Sequence, residues 1–167
     1  GLDPRPADEE DIKMMGNIAR DAVDAGALGL SSGLMYAPGS FASQQELTRI
    51  CEYLRGTGAI YTSHIRNQGN GLIESVRETL EIANDSGLRA NVSHHKAVGR
   101  RNWGKVRATT EMIHLAGATS DVYPFEASST TLTATLPPSF FRQGMEKVIA
   151  RLSDQSFCHD LEESIIH

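Results

Sequence analysis

Ala59-Ile-Tyr-Thr-Ser63 and Leu88-Arg-Ala-Asn-Val-Ser93 are short strand-like runs, each followed at its C-terminal end by a histidine, His64 and His94, thirty residues apart. Gly58 precedes the first run and Gly87 the second, the punctuation expected of short buried strands. Between them come a Gly-rich loop, Asn67 to Gly71, and a helical stretch that carries Leu72, Val76, Leu80 and Ala83 on one face. Strand, loop, helix and strand in this order imply parallel strands joined by a right-handed crossover. Each strand then delivers an imidazole at its C-terminal end.

The same unit recurs in both directions. Upstream, Pro4 and Pro6 precede the acidic run Asp8 to Asp11, which places negative charge at a helix N-terminus. Ile12, Met15, Ile18, Ala19, Ala22 and Val23 predict a helix to about Ala25, stopped by Gly26. Ala27 to Ser31 follows as a brief buried strand, leading into a long Gly/Pro loop from Ser32 to Phe41, and loops after strands are where function concentrates. Ser43 and Glu46 have capping-box spacing at the start of a helix through Leu47, Ile50, Cys51 and Leu54.

Downstream, a loop with Gly99, Trp103 and Gly104 leads to a helix through Val106, Met112 and Ile113, then a fourth strand, Ala118 to Tyr123. The segment from Pro124 to Phe141 is rich in Ser, Thr and Pro. Two helical pieces follow, one with Met145, Val148, Ile149 and Leu152, the other with Phe157, Leu161 and Ile165. The fold class is therefore α/β with about four βα units. A small doubly wound sheet and part of an eightfold barrel both satisfy the pattern, and both put active residues at the C-terminal ends of strands.

Composition narrows the function classes. The 167 residues include 16 Lys and Arg against 21 Asp and Glu, a net charge of −5, with no basic run to mark a nucleic-acid or anionic-membrane partner. No apolar run reaches the ~18 residues of a membrane span, and the opening residues do not read as a signal peptide. Cys51 and Cys158 are too few and too far apart for a disulfide framework or a metal knuckle, so a reducing, cytoplasmic setting is expected. On chemistry alone, His64 and His94 on one rim suit Zn²⁺, which takes neutral imidazole ligands. The residues alone favour the blander reading, in which each caps its own loop through hydrogen bonds.

Further stretches carry a family resemblance. Gly26-Ala-Leu-Gly-Leu-Ser-Ser-Gly-Leu-Met-Tyr-Ala-Pro-Gly-Ser-Phe-Ala42 resembles a segment of the N-acyl-D-amino-acid deacylases, the D-aminoacylase branch of the amidohydrolase superfamily. Tyr61-Thr-Ser-His-Ile-Arg66 is similar to the next block of that family. Ser93-His-His-Lys-Ala97 with Asn102-Trp-Gly-Lys-Val106, then Asp121-Val-Tyr-Pro-Phe-Glu-Ala-Ser-Ser-Thr130 and Leu136-Pro-Pro138, follow in family order.

The resemblance implies a metal-dependent hydrolase on a (β/α)8 TIM barrel that cleaves the amide bond of N-acyl-D-amino acids with Zn²⁺. It makes His64 and His94 metal ligands from the fifth and sixth strands, and Lys96, Tyr123 and Ser129 contacts to the substrate carboxylate. Arg66 either reaches that carboxylate or buttresses its loop by pairing with an acid. Acids commonly follow it in the family, where Asn67, Gln68 and Asn70 stand here. His95 is expected on the opposite side of the strand as a structural residue. Trp103 reads as loop anchor or pocket wall, and Glu126 as a loop carboxylate or pocket lining. His114, His159 and His167 are expected at the surface or in capping roles, Cys51 in the core, and Cys158 without assigned chemistry.

The family's His-x-His pair, its Cys ligand and its catalytic Asp have no counterpart in this sequence. Residues 1–167 are therefore expected to be the central part of an amidohydrolase barrel, lacking its first strands and its last strand. On this reading the chain has no catalytic residue of its own, holds zinc weakly or not at all, and is inactive without the remainder of its barrel. Its strand edges would invite self-association. Two alternatives stand beside it: an amidohydrolase acting on cyclic amides, of dihydroorotase or hydantoinase type, and a non-catalytic α/β binding domain.

Overall fold

The computed structural model describes residues 5–166, so Pro4 and His167 lie outside the described residues. Asp8 caps the first helix, α1 (Glu9–Asp24), accepting from the amides of Glu10 and Asp11, while Asp11 accepts from the Asp8 amide to complete a capping box. The chain then alternates through β1 (Gly29–Gly33), α2 (Gln44–Glu52), β2 (Ile60–His64), α3 (Leu72–Ser86), β3 (Arg89–Val92), α4 (Lys105–Leu115) and β4 (Thr119–Ser120). Two further helices, α5 (Met145–Arg151) and α6 (Gln155–Ile166), follow an irregular segment with short 3-10 turns.

The four strands are parallel, in the order β1-β2-β3-β4. Sequential order without a switch point is that of a barrel wall rather than a doubly wound sheet. The fold is a partial (β/α) barrel of about four units.

Strand alternation separates two faces. Tyr61, Ser63, Ala90 and Val92 are buried on the helix side, where two apolar clusters form. Leu34, Leu47, Cys51, Tyr61, Ile82 and Ala83 make one, and Ile65, Leu72, Val76, Val92 and Ile113 the other. A third cluster, Phe141, Val148 and Phe157, holds the C-terminal helices. The opposite face is polar: Asn91 Nδ2 donates to Thr62 Oγ1 at 3.1 Å and Thr119 Oγ1 donates to Asn91 Oδ1 at 2.8 Å. His64 belongs to this face, two residues beyond Thr62.

Two strands depart from the sequence expectation. The first forms two residues later than Ala27 to Ser31 and is half-buried, because Gly26 (φ 111°) and the bond from the Ala27 amide to the Ala22 carbonyl still belong to the end of α1. The fourth shrinks to Thr119–Ser120: the Asp121 carbonyl already accepts from the His95 amide at 2.8 Å, closing the turn that follows β3. Among the described residues no helix is long and apolar enough to cross a membrane.

Candidate active site

His64 is the last residue of β2, and its position is fixed by the ladder on either side. Its carbonyl accepts from the Leu34 amide at 2.9 Å, and the Ser63 carbonyl accepts from the Ser93 amide at 3.0 Å. His94 stands two residues past β3 in a left-handed conformation, φ 38°, which side-chain-bearing residues rarely adopt. Its amide donates to Asp121 Oδ1 at 2.7 Å, and Asp121 Oδ2 accepts from Asn91 Nδ2 at 2.9 Å.

The end of β2 and the turn after β3 bring the imidazoles together, with ring centroids 4.4 Å apart and planes at 75°. Tyr36 packs its ring 4.9 Å from His64, and the Tyr123 ring is 6.5 Å from His94. His94 Nδ1 is 3.1 Å from Gln68 Nε2 and 3.2 Å from Lys96 Nζ. Lys96 Nζ also donates to the His94 carbonyl at 3.2 Å and lies 5.1 Å from the centre of the Tyr123 ring.

Burial pushes the His64 imidazole down to about 4, with help from His94 and from the Lys96 ammonium. Burial and then Lys96 likewise hold His94 below the ordinary histidine range. Both rings are therefore neutral at pH 7, the form that ligates a metal. Burial works to raise the Asp121 carboxyl, but its bonds from Asn91 and from the His94 amide hold it below the usual range.

His64 Nε2 is buried and has no hydrogen-bond partner. A buried polar atom of this kind is costly unless something satisfies it. The orphaned His64 nitrogen fits a metal ligand, and the neutral His94 ring would offer its Nδ1 lone pair to the same ion once the Lys96 ammonium leaves it. Zinc sites use three or four protein ligands, and among the described residues no group of three His, Cys, Asp or Glu is placed to hold one.

His64, His94, Lys96, Tyr123 and Ser129 line one cleft of about 660 Å³ together with Tyr36 and Gln68. Arg66 lies outside that lining. It donates to both carboxylate oxygens of Glu78, at 2.8 and 3.0 Å, and to the carbonyls of Ser40 and Ala42, each at 2.9 Å. Its ion-pair partner therefore comes from α3 rather than from the residues that follow it. Asn67 instead accepts from the Gly69 and Gly71 amides, and Gln68 is turned toward His94.

His95 points away from the cleft, its Nε2 2.8 Å from Thr109 Oγ1 of α4, with 8% exposure. Strand alternation is not the cause, since β3 ends at Val92; the left-handed turn at His94 redirects the chain. Trp103 is 60% exposed with the Arg100 guanidinium 5.8 Å from its ring centre, and neither it nor the exposed Glu126 lines the cleft. His114 and His159 are exposed. Cys51 is fully buried, and the Cys158 thiol donates to the Leu152 carbonyl at 3.1 Å.

Sequence reasoning overlooked Tyr36, Gln68 and Asp121 as parts of the site. Tyr36 sits in the Gly/Pro loop after β1, and Asp121 just past β4, the two kinds of place where site residues are expected on this fold. For Gln68 the sequence offers no signal.

No protein-family model matches the chain. A D-aminoacylase of Alcaligenes xylosoxydans xylosoxydans is 36% identical over 132 residues, which are 77% of this chain and 27% of that protein. An N-acyl-D-glutamate deacylase of the same organism is 40% identical over 125 residues, 72% of this chain and 26% of that protein. Among solved structures, an N-acyl-D-glutamate deacylase from Bordetella bronchiseptica is complexed with zinc and a phosphonate inhibitor, a mimic of the reaction's tetrahedral intermediate. It is similar with a TM-score of 0.71 at 34% identity, over 75% of this chain and 28% of that one. The chain spans about a quarter of the length of the relatives it matches.

Proposed function

Because the chain is homologous in sequence and structure to part of the D-aminoacylase and N-acyl-D-amino-acid deacylase family of amidohydrolases, we propose that it forms the central part of a catalytic barrel that hydrolyses the amide bond of N-acyl-D-amino acids. The observation that carries this reading is the buried, unpartnered Nε2 of His64 beside the neutral ring of His94.

His64 and His94 would hold zinc, with the other ligands supplied by the rest of the barrel. When bound, the ion supplies Lewis-acid polarisation of the amide carbonyl and an acidified water. The chain's own residues bind and orient. Lys96, Tyr123 and Ser129 line the same cleft as the two histidines, and an ammonium with two hydroxyl donors satisfies the lone pairs of a substrate carboxylate. Lys96 rests on a ring nitrogen and a carbonyl, both uncharged, so an incoming carboxylate competes well for it. Tyr36 packs against the His64 ring and Gln68 reaches His94 Nδ1, so both help to orient the imidazoles. The aspartate that takes and returns the proton belongs, on this reading, to the last barrel strand.

The test is a Zn²⁺ titration of the chain with ¹⁵N-labelled histidines. The ring signals of His64 and His94 should respond together, and only at high Zn²⁺ because two ligands bind weakly, while those of His114 and His159 should not; a response at His114 or His159 ahead of the two site rings would reject the metal assignment. The isolated chain should not turn over an N-acetyl-D-amino acid, and activity near that of an intact family member would reject the partial-barrel reading.

A further inference from the structure

We propose that Asp121 is a positioning residue: its carboxylate fixes the left-handed turn at His94 and thereby sets where the His94 ring meets that of His64. The inference rests on the proposed role of His94 as a ligand, but its geometry stands on its own. Oδ1 accepts the His94 amide at 2.7 Å, Oδ2 accepts Asn91 Nδ2 at 2.9 Å, and the Asp121 carbonyl accepts the His95 amide at 2.8 Å. Asn91 is itself held, donating to Thr62 Oγ1 and accepting from Thr119 Oγ1.

A charge-assisted bond to the backbone of a residue at φ 38° favours a conformation that its side chain disfavours. Both carboxylate oxygens are engaged within the fold, so this aspartate orients a neighbour rather than moving a proton for substrate. Outer partners that orient a metal ligand through its side chain contribute about 10- to 100-fold to metal affinity, and a backbone anchor is expected at the lower end of that range. Without the bond, His94 relaxes toward negative φ and its ring leaves the edge-on contact with His64.

The experiment compares the wild-type chain with Asp121→Ala, Asp121→Asn and His94→Ala by amide NMR, by the metal-free His64 ring shifts that report the contact with His94, and by Zn²⁺ titration carried to the high concentrations a two-ligand site needs. In Asp121→Ala the His94 amide proton should move upfield and Zn²⁺ affinity should fall about tenfold or more. Asp121→Asn can keep an acceptor for the His94 amide but turns its NH2 toward the Asn91 Nδ2 donor, so affinity should fall less than in Asp121→Ala, with a smaller upfield shift, since a neutral acceptor is weaker. A His94 amide that does not move in Asp121→Ala, or in Asp121→Asn should the alanine variant not fold, overturns the proposal. A His94 amide that moves in Asp121→Ala with unchanged Zn²⁺ affinity overturns the positioning role as well. Zn²⁺ binding by His94→Ala equal to wild type would reject His94 as a ligand, which is a failure of the functional reading; the amide shift then decides the part played by Asp121.

Discussion

The guanidinium of Arg66 lies 2.8 Å from the Glu78 carboxylate and holds, with its remaining donors, the carbonyls of Ser40 and Ala42. One side chain thus ties the loop after β1 to the loop after β2 and to α3. The pair is neither surface nor core, with side-chain exposures of 32% and 14%. Its loss should therefore cost more than the ~0–1 kcal/mol of an exposed pair and less than the 3–5 kcal/mol of breaking a buried one. Arg66→Ala should destabilise by about 2–3 kcal/mol. Arg66→Lys, which keeps the charge but loses the planar fork, should recover only part of that. Urea unfolding at constant m-value measures both, and an alanine variant within about 0.5 kcal/mol of wild type would show that the loops are held by other contacts.

Gly29 opens β1 in register with Ile60 of β2. A Cβ built there falls 2.0 Å from the Ile60 carbonyl oxygen and 2.8 Å from the Ile60 nitrogen, atoms of backbone that cannot rotate away. Gly29→Ala would normally be mildly favourable through reduced unfolded-state entropy, by about 0.4–1 kcal/mol. Here the clash wins, and a net destabilisation of about 1–3 kcal/mol is expected, as for overpacked sites. Gly26→Ala meets no atom within 4 Å and instead probes the positive φ of 111°. Thermal unfolding of the pair separates crowding from backbone strain.

The order of strands and helices was legible because each element carries its own period and its own stop, as with Gly87, which ends α3 in the left-handed conformation. The histidines were legible because β2 ends at His64 and β3 stops just short of His94. What the sequence concealed depends on contacts between distant residues. Arg66 finds Glu78 twelve positions away on α3, and the turn at His94 depends on an aspartate twenty-seven residues downstream. The shortening of β4 follows from the same turn. Gln68 became part of the site only through the fold of a loop whose composition says nothing about His94.

The two cysteines should differ in reactivity. Burial pushes the Cys51 thiol up to about 12, so almost no thiolate exists at pH 8. Cys158 is half-buried in α6. Iodoacetamide should modify a single thiol in the native chain, identified as Cys158 by peptide mass, and both after denaturation. Fast labelling of Cys51 in the native chain would mean that the packing of α2 against the sheet opens readily.

Stability should fall on mild acidification in the metal-free chain. The folded-state value of His64 lies at about 4, pushed down first by burial, against 6.5 for an unperturbed histidine. His94 and His95 move in the same direction, burial again leading. As pH drops below about 6.5 the unfolded chain takes up protons that the native chain refuses, so the unfolding free energy declines with pH. The His64 contribution to that loss ends near pH 4, where the native ring also protonates. Melting temperatures in EDTA between pH 7.5 and 4.5 should show this slope, and His64→Gln should flatten it; equal slopes for the two proteins would exclude His64 as a source.

Lys96 supplies a charge that all three clustered histidines feel. After burial it is the leading cause of the downward shift at His94 and His95, and at His64 it follows burial and His94. Replacing the ammonium with a neutral chain of similar length, Lys96→Met, removes that repulsion and should raise all three values, more at His94 than at His64. Long-range ¹H–¹⁵N spectra of the histidine rings across pH 4 to 8 give each titration directly. The same substitution removes the cation from the face of Tyr123, so an N-acyl-D-amino acid should bind the completed barrel more weakly with Met at this position. Unchanged histidine titrations would place the ammonium in solvent, away from His94 Nδ1, and would remove the basis for assigning it to the substrate carboxylate.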